Sequence, residues 1–152
     1  MKQSFADYVA TSQQRMDNLA LVLKYSEMLC EALMQDFRKG GRKLDYKFYI
    51  ESGRKYHKII MECENGSKSV HAFIEKKFGA VYKPASWKAP AKHIRFTLLD
   101  DNSREECFAR CDWSGGYLYL WLWQNKSSKL NIMSLNLSQR KSTNRCLKSV
   151  KN

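Results

Sequence analysis

The chain has 152 residues, 43% of them hydrophobic, with two prolines and seven glycines. That is one domain's length, with enough apolar content for a core without obligatory disulfides or metals, and it excludes fibrous and low-complexity proteins. Net charge is +12, from 27 Lys and Arg against 15 Asp and Glu.

The distribution of that charge matters more than its total. Residues 1–37 are net −2, residues 38–96 net +10, residues 97–123 net −3 and residues 124–152 net +7. A basic block of this kind attracts polyanions over about a Debye length, ~8–10 Å at cell salt. The competing explanation is Lys-rich strand faces that keep sheet edges soluble. The five cysteines, Cys30, Cys63, Cys107, Cys111 and Cys146, are odd in number and form no CxxC pair. The opening MKQSFADYVATSQQ has no apolar h-region. Together these predict reduced thiols in a cytoplasm. The longest apolar runs, near residues 19–23 and 117–123, are too short to span a bilayer, so no membrane partner is expected.

Residues 5–38 predict one long helix, or two joined near Thr11–Ser12, with capping-box starts at Ser4/Asp7 and Thr11/Gln14. Met16, Leu19, Leu23, Cys30, Leu33 and Phe37 recur at helical spacing. Val22, Tyr25 and Leu29 widen that stripe, which predicts burial on two sides, against a sheet and a second subunit. Arg38-Lys39-Gly40-Gly41 supplies the stop.

The period then changes to two. Leu44, Tyr46, Phe48 and Ile50 alternate with polar neighbours in a first strand, and residues 55–63 form a second. Asn65-Gly66 predicts a type I′ hairpin turn, with residues 69–75 as the third strand. Residues 80–83 form a short fourth strand and 93–99 a fifth. Between these two, residues 84–90 (PASWKAP) read as an ordered loop, because proline cannot donate to a central ladder. Ser103 with Glu106 opens a short helix over 104–112, and residues 117–123 form a last strand. The class is α+β: a long N-terminal helix packed on an antiparallel β-meander, a short second helix and a final strand. Residues 1–123 make the single domain, and the acid-free residues 124–152 a basic tail.

Catalytic patterns are weak. Cys107 and Cys111 share a helix face and would ligate zinc with Cys63 or His71, but knuckle spacing is missing and buried thiols are the simpler account. His57, His71 and His93 sit in strand positions without a nucleophile context. Asp100-Asp101 is explained by a turn and a cap, as carboxylates at a helix start usually are. Neither a Walker A sequence nor GxGxxG occurs. The expectation is no enzyme, no metal and no cofactor.

The most informative segment is Val81–Phe96, VYKPASWKAPAKHIRF. It places Lys83, Lys88, Lys92 and Arg95 around Trp87 with no acid between. Cations suit phosphates, and an exposed aromatic stacks on a base for ~1–3 kcal/mol in single-strand binders. The alternative is a Trp that closes one end of the sheet, since Trp is mostly buried on average. Arg54, Lys55, Lys76 and Lys77 at the neighbouring turns complete the expected surface.

The stretch VHAFIEKKFGAVYKPASWKAPAKHIRFTLL, followed by DDNSREECFARCDWSGGYLY, resembles a family of small uncharacterised proteins encoded by tailed bacteriophages. The resemblance covers roughly residues 54–119 and rests on the VYKPASWKAPAK-like loop and the GGYLY segment. It implies a phage origin and carries no known activity with it. Phe78 stands where a threonine is usual in those proteins. They end near GGYLY, whereas this chain continues to Asn152.

The functional expectation is therefore a phage accessory protein of the host cytoplasm that binds nucleic acid through a basic, aromatic-containing surface. The alternative is a protein–protein module, a virion component or inhibitor of a host protein. It draws on the wide apolar face of the first helix and the YLYLWLW run. A homodimer is expected through residues 16–37 or 117–123.

Overall fold

Among the described residues, five strands form one antiparallel sheet in sequence order: β1 (Tyr46–Ser52), β2 (Tyr56–Cys63), β3 (Lys68–Glu75), β4 (Ala80–Tyr82) and β5 (Phe96–Thr97). They are preceded by helix α1 (Phe5–Lys39) and followed by helix α2 (Asp101–Arg110) and a 3-10 turn (Gly116–Leu118). This computed structural model describes residues 3–43 and 45–119. The expected tail, 124–152, lies outside the described residues.

Helix α1 runs unbroken for 35 residues, because no glycine or proline interrupts it before Gly40. Thr11 does not start a second helix; its hydroxyl donates back to the Asp7 carbonyl at 2.7 Å. The buried face is Val22, Ser26, Leu29, Cys30, Leu33 and Phe37. Met16, Leu19 and Leu23, expected in the core, are 63%, 39% and 37% exposed. The reason is length. Thirty-five residues span about 52 Å of helix, while strands of seven or eight span roughly 26 Å. Only the C-terminal half of α1 lies over strands, and residues 5–21 project past them.

Two turns depart from their expected forms for physical reasons. At Asn65-Gly66 only Gly66 has positive φ (82°), so the turn is not type I′. Gly66 N–H donates to Cys63 O and Cys63 N–H to Ser67 O, the pattern of a type I turn followed by a glycine bulge. Helix α2 starts three residues early. Asp100, not Ser103, caps it, accepting from the Ser103 N–H at 2.9 Å. The Ser103 hydroxyl instead accepts from the Thr97 N–H at 2.8 Å and ties the helix to β5.

Strand β5 is two residues long rather than seven, because the chain at His93 turns through φ 73°. The strand expected over 117–123 is not found at its start: Tyr117 and Leu118 lie in the 3-10 turn, while 120–123 fall outside the described residues.

A bulge in β3 carries a consequence for the core. Ile59 pairs with Ala72 and Ile60 with Val70, leaving His71 as the extra residue. The bulge aims His71 inward, where its ring meets Phe48 and Tyr117. Tyr117 and Leu118 are nearly fully buried, so the 115–118 segment closes this end of the core.

Candidate nucleic-acid interface

The segment between β4 and β5 is a narrow hairpin excursion. Pro84 and Pro90 face each other across its neck. Ala91 N–H donates to Lys83 O at 2.7 Å below the neck, and Ala85 N–H to Ala89 O at 3.1 Å above it. The Ser86 hydroxyl accepts from the N–H groups of Lys88 and Ala89, which fixes the tip. Trp87 sits at that tip and is 43% exposed, with Lys88 beside it in solvent. The prolines fit at the neck because no ladder N–H is needed there.

The tip leans over the sheet. Strand register places Glu51, Lys58, Phe73 and Tyr82 in one row across β1–β4, so they share a face. The Lys58 ammonium lies 5.5 Å from the Trp87 ring centre and 5.9 Å from that of Phe73. Tyr56, two residues before Lys58 and on the same face, packs edge-on against Phe73 and Tyr82 at 5.8 and 6.1 Å. Phe73 is fully buried, while Tyr56 and Tyr82 are partly open. Burial raises the Tyr82 phenol, with Glu75 adding to it. The opposite row, His57, Ile74 and Val81, belongs to the core.

Arg95 is engaged with the backbone. Its Nε donates to Leu118 O at 2.7 Å, and its Nη1 to Lys92 O and His93 O at 2.8 and 2.6 Å. The guanidinium is a clamp that holds the left-handed turn at His93 and joins it to the C-terminal 3-10 turn. Lys92 and Lys88 are exposed, and Lys83 is half-buried at the base of the excursion.

Arg54, Lys55, Lys76 and Lys77 gather elsewhere. Together with Arg15 of α1 they border a cleft of about 1120 Å³ between the projecting half of the helix and the β1–β2 and β3–β4 turns. Glu75 is the one acid among the described residues lining it, and Lys55 pairs with it at 4.0 Å. The Tyr56 phenol, followed by Glu75, holds Lys55 above the ordinary lysine range. Phe78 forms part of the wall and is 55% exposed, with the Lys77 ammonium 5.1 Å from its ring centre.

The expected surface thus divides into the excursion with its sheet row and the cleft with its turns. Sequence reading missed Lys58 and Tyr56, although strand alternation puts them on one face. It also missed Arg15, for which no local signal exists.

The two buried histidines have structural partners. His71 Nε2 and the Tyr117 hydroxyl are 3.0 Å apart, and burial lowers the imidazole to about 4. His57 Nδ1 lies 2.7 Å from the Ser52 hydroxyl. Burial pushes the Cys30 thiol up to about 12 and raises that of Cys107 further, so neither is a nucleophile at neutral pH. Among the described residues no group of three or more His, Cys, Asp or Glu side chains is placed to hold a metal ion. Among them, too, no helix is long and apolar enough to cross a membrane.

No curated protein and no solved structure matches the chain. A family match covers residues 5–120, which includes α1, the sheet, the excursion, α2 and the closing turn. The chain belongs to this family, the family of unknown function DUF7717.

Proposed function

We propose that the protein is a bacteriophage accessory protein of the host cytoplasm that binds nucleic acid through the 83–92 excursion and the adjoining sheet face. The observation that carries this reading is Trp87, exposed at a fixed hairpin tip beside Lys88 and Lys58. No acid occurs between Lys76 and Leu99, so nothing in that segment opposes a phosphate. Cations there neutralise phosphate charge, and the indole offers a π-face to a base.

Salt-titrated fluorescence anisotropy tests the reading. Each phosphate contact contributes a slope of about −0.7 to −0.9 in log K against log salt. Lys88→Ala with Lys92→Ala flattens that slope by roughly one to two and weakens binding evenly across sequences. Absence of binding at low salt, or an unchanged slope, sinks it.

A second reading has its own observation. Phe5, Tyr8, Val9 and Met16 are 81%, 60%, 48% and 63% exposed on the projecting half of α1. Apolar side chains in such a row favour a protein partner, whether a second copy of this chain or a host or virion protein.

A further inference from the structure

We propose that the ligand is single-stranded nucleic acid, threaded from Trp87 across the sheet face into the cleft beside α1. This rests on the nucleic-acid reading above and adds the strandedness and the second anchor.

Ring and cation contacts mark the path. Lys58 stands 5.5 Å from the Trp87 ring centre and 5.9 Å from that of Phe73. Phe73 touches Tyr56 at 5.8 Å, and Tyr56 touches Tyr82 at 6.1 Å. The Lys55 ammonium is 5.2 Å from the Tyr56 ring centre, and Lys55 itself lines the cleft. Lys58 and Lys55 therefore stand beside the open rings of Trp87 and Tyr56 between the hairpin tip and the cleft mouth, and the buried Phe73 supports that face from beneath. Acid enters only as Glu51 at the β1 end of the row and as Glu75, which is paired with Lys55.

The cleft itself distinguishes strands from duplexes. Its cations are Arg15, Arg54, Lys55, Lys76 and Lys77, which suit a phosphate backbone. Its wall also carries Leu19 and Phe78, 39% and 55% exposed. A duplex presents phosphates outward and keeps its base faces stacked, so it offers nothing to that apolar wall. An unpaired strand brings both groups at once: phosphate for the cations, and a base face for Phe78. The volume of about 1120 Å³ slightly exceeds the ~300–1,000 Å³ of small-molecule sites, which leaves room for more than one nucleotide. DNA and RNA strands share this chemistry, so both are tested.

The experiment is anisotropy with labelled oligonucleotides of ~12 nucleotides, inside the 4–16 range of known single-strand sites, as oligo-dT, oligo-U and a duplex of equal length. The full chain is used, and tryptophan emission is followed in parallel. The expected result is at least tenfold tighter binding of one or both single strands than of the duplex. Trp87→Ala and Phe78→Ala each then weaken strand binding about 5- to 150-fold, with circular dichroism unchanged. Arg54→Ala weakens it too and flattens the salt slope. Strand binding quenches tryptophan emission in the parent, and Trp87→Phe removes that quenching while retaining most affinity. A preference for oligo-dT or oligo-U identifies the source of the strand; either supports the proposal. Duplex bound as tightly as the strands overturns the proposal and leaves the nucleic-acid reading standing. Strand preference unaffected by Phe78→Ala and Arg54→Ala overturns it as well, by removing the cleft. No binding by any probe at low salt overturns both.

Discussion

The imidazole of His71 and the phenol of Tyr117, 46 residues apart in sequence, meet at 3.0 Å inside the protein. The bulge in β3 turns His71 inward, and the 3-10 turn after α2 brings Tyr117 to it. Burial holds His71 neutral, at about 4 against an ordinary 6.5, with Asp112 opposing only in part. In the unfolded chain it titrates near its ordinary value, so this contribution is fully present above pH 6.5. It is lost as pH falls from 6.5 toward 4, because the unfolded state binds the proton first. The loss is about 3 kcal/mol. His57, also lowered by burial and then by Lys76, acts in the same direction. Urea unfolding across this window shows the decline, and His71→Gln is expected to flatten it. A variant with an equally steep decline rejects the assignment to His71.

Tyr117→Phe isolates the hydroxyl. The ring keeps its contact with Phe96, at 6.0 Å between centres, while His71 Nε2 loses its partner. The expected cost is about 1–3 kcal/mol, read as a fall in the urea midpoint at constant slope. A midpoint shift near zero shows that the interior hydrogen bond is dispensable.

Arg95 and the exposed lysines separate by their effects. Arg95→Ala removes a fork that satisfies three backbone carbonyls and lowers stability by at least about 1.5–3 kcal/mol. Arg95→Lys does not restore it, because an ammonium lacks the planar fork. Lys88→Ala and Lys92→Ala stay within about 0.5 kcal/mol of the parent. Thermal unfolding of the four variants checks this. Equal melting temperatures for Arg95→Ala and the parent contradict the clamp.

Gly79 joins the β3–β4 turn to the core at φ 68°. A Cβ there would stand 3.2 Å from Leu98 Cβ and 3.3 Å from Val22 Cγ2, so strain and crowding act together. Gly79→Ala is expected to cost about 2–4 kcal/mol from left-handed strain plus overpacking. Gly66→Ala, with φ 82° but open space around it, costs about 1–2 kcal/mol from the backbone alone. Chemical denaturation of both ranks them; the reverse order refutes the packing argument.

The projecting half of α1 bears on the protein-partner reading. Helical stability in proteins comes mostly from packing an apolar face, yet Phe5, Tyr8, Val9 and Met16 stand in solvent. Self-association through this half is the expected outcome. Light scattering at tens of micromolar then gives a dimer mass, and Val9→Lys with Met16→Lys returns it to a monomer. A monomeric parent leaves the homodimer without support.

Local rules in the sequence determined the element order, because they act over a few residues. The 3.6-residue and two-residue periods, the Arg-Lys-Gly-Gly stop and the Asn-Gly turn marked the long helix and the meander, and charge counting marked the basic surface. The PASWKAP loop was recognisable for the same reason: proline excludes it from a ladder wherever the chain goes. Tertiary structure decided what those residues face. The sheet is shorter than the helix it carries, which left Met16 and Leu19 in solvent although their spacing matched the core. The carbonyls of Lys92 and His93 and of Leu118 converge on Arg95, a clamp that charge counting alone did not reveal. Strand pairing set Lys58 under Trp87, and the reach of α1 set Arg15 opposite Lys77, pairs 29 and 62 positions apart in sequence. Such meetings depend on register and on where a helix overhangs a sheet, and neither quantity is written in any short window of residues.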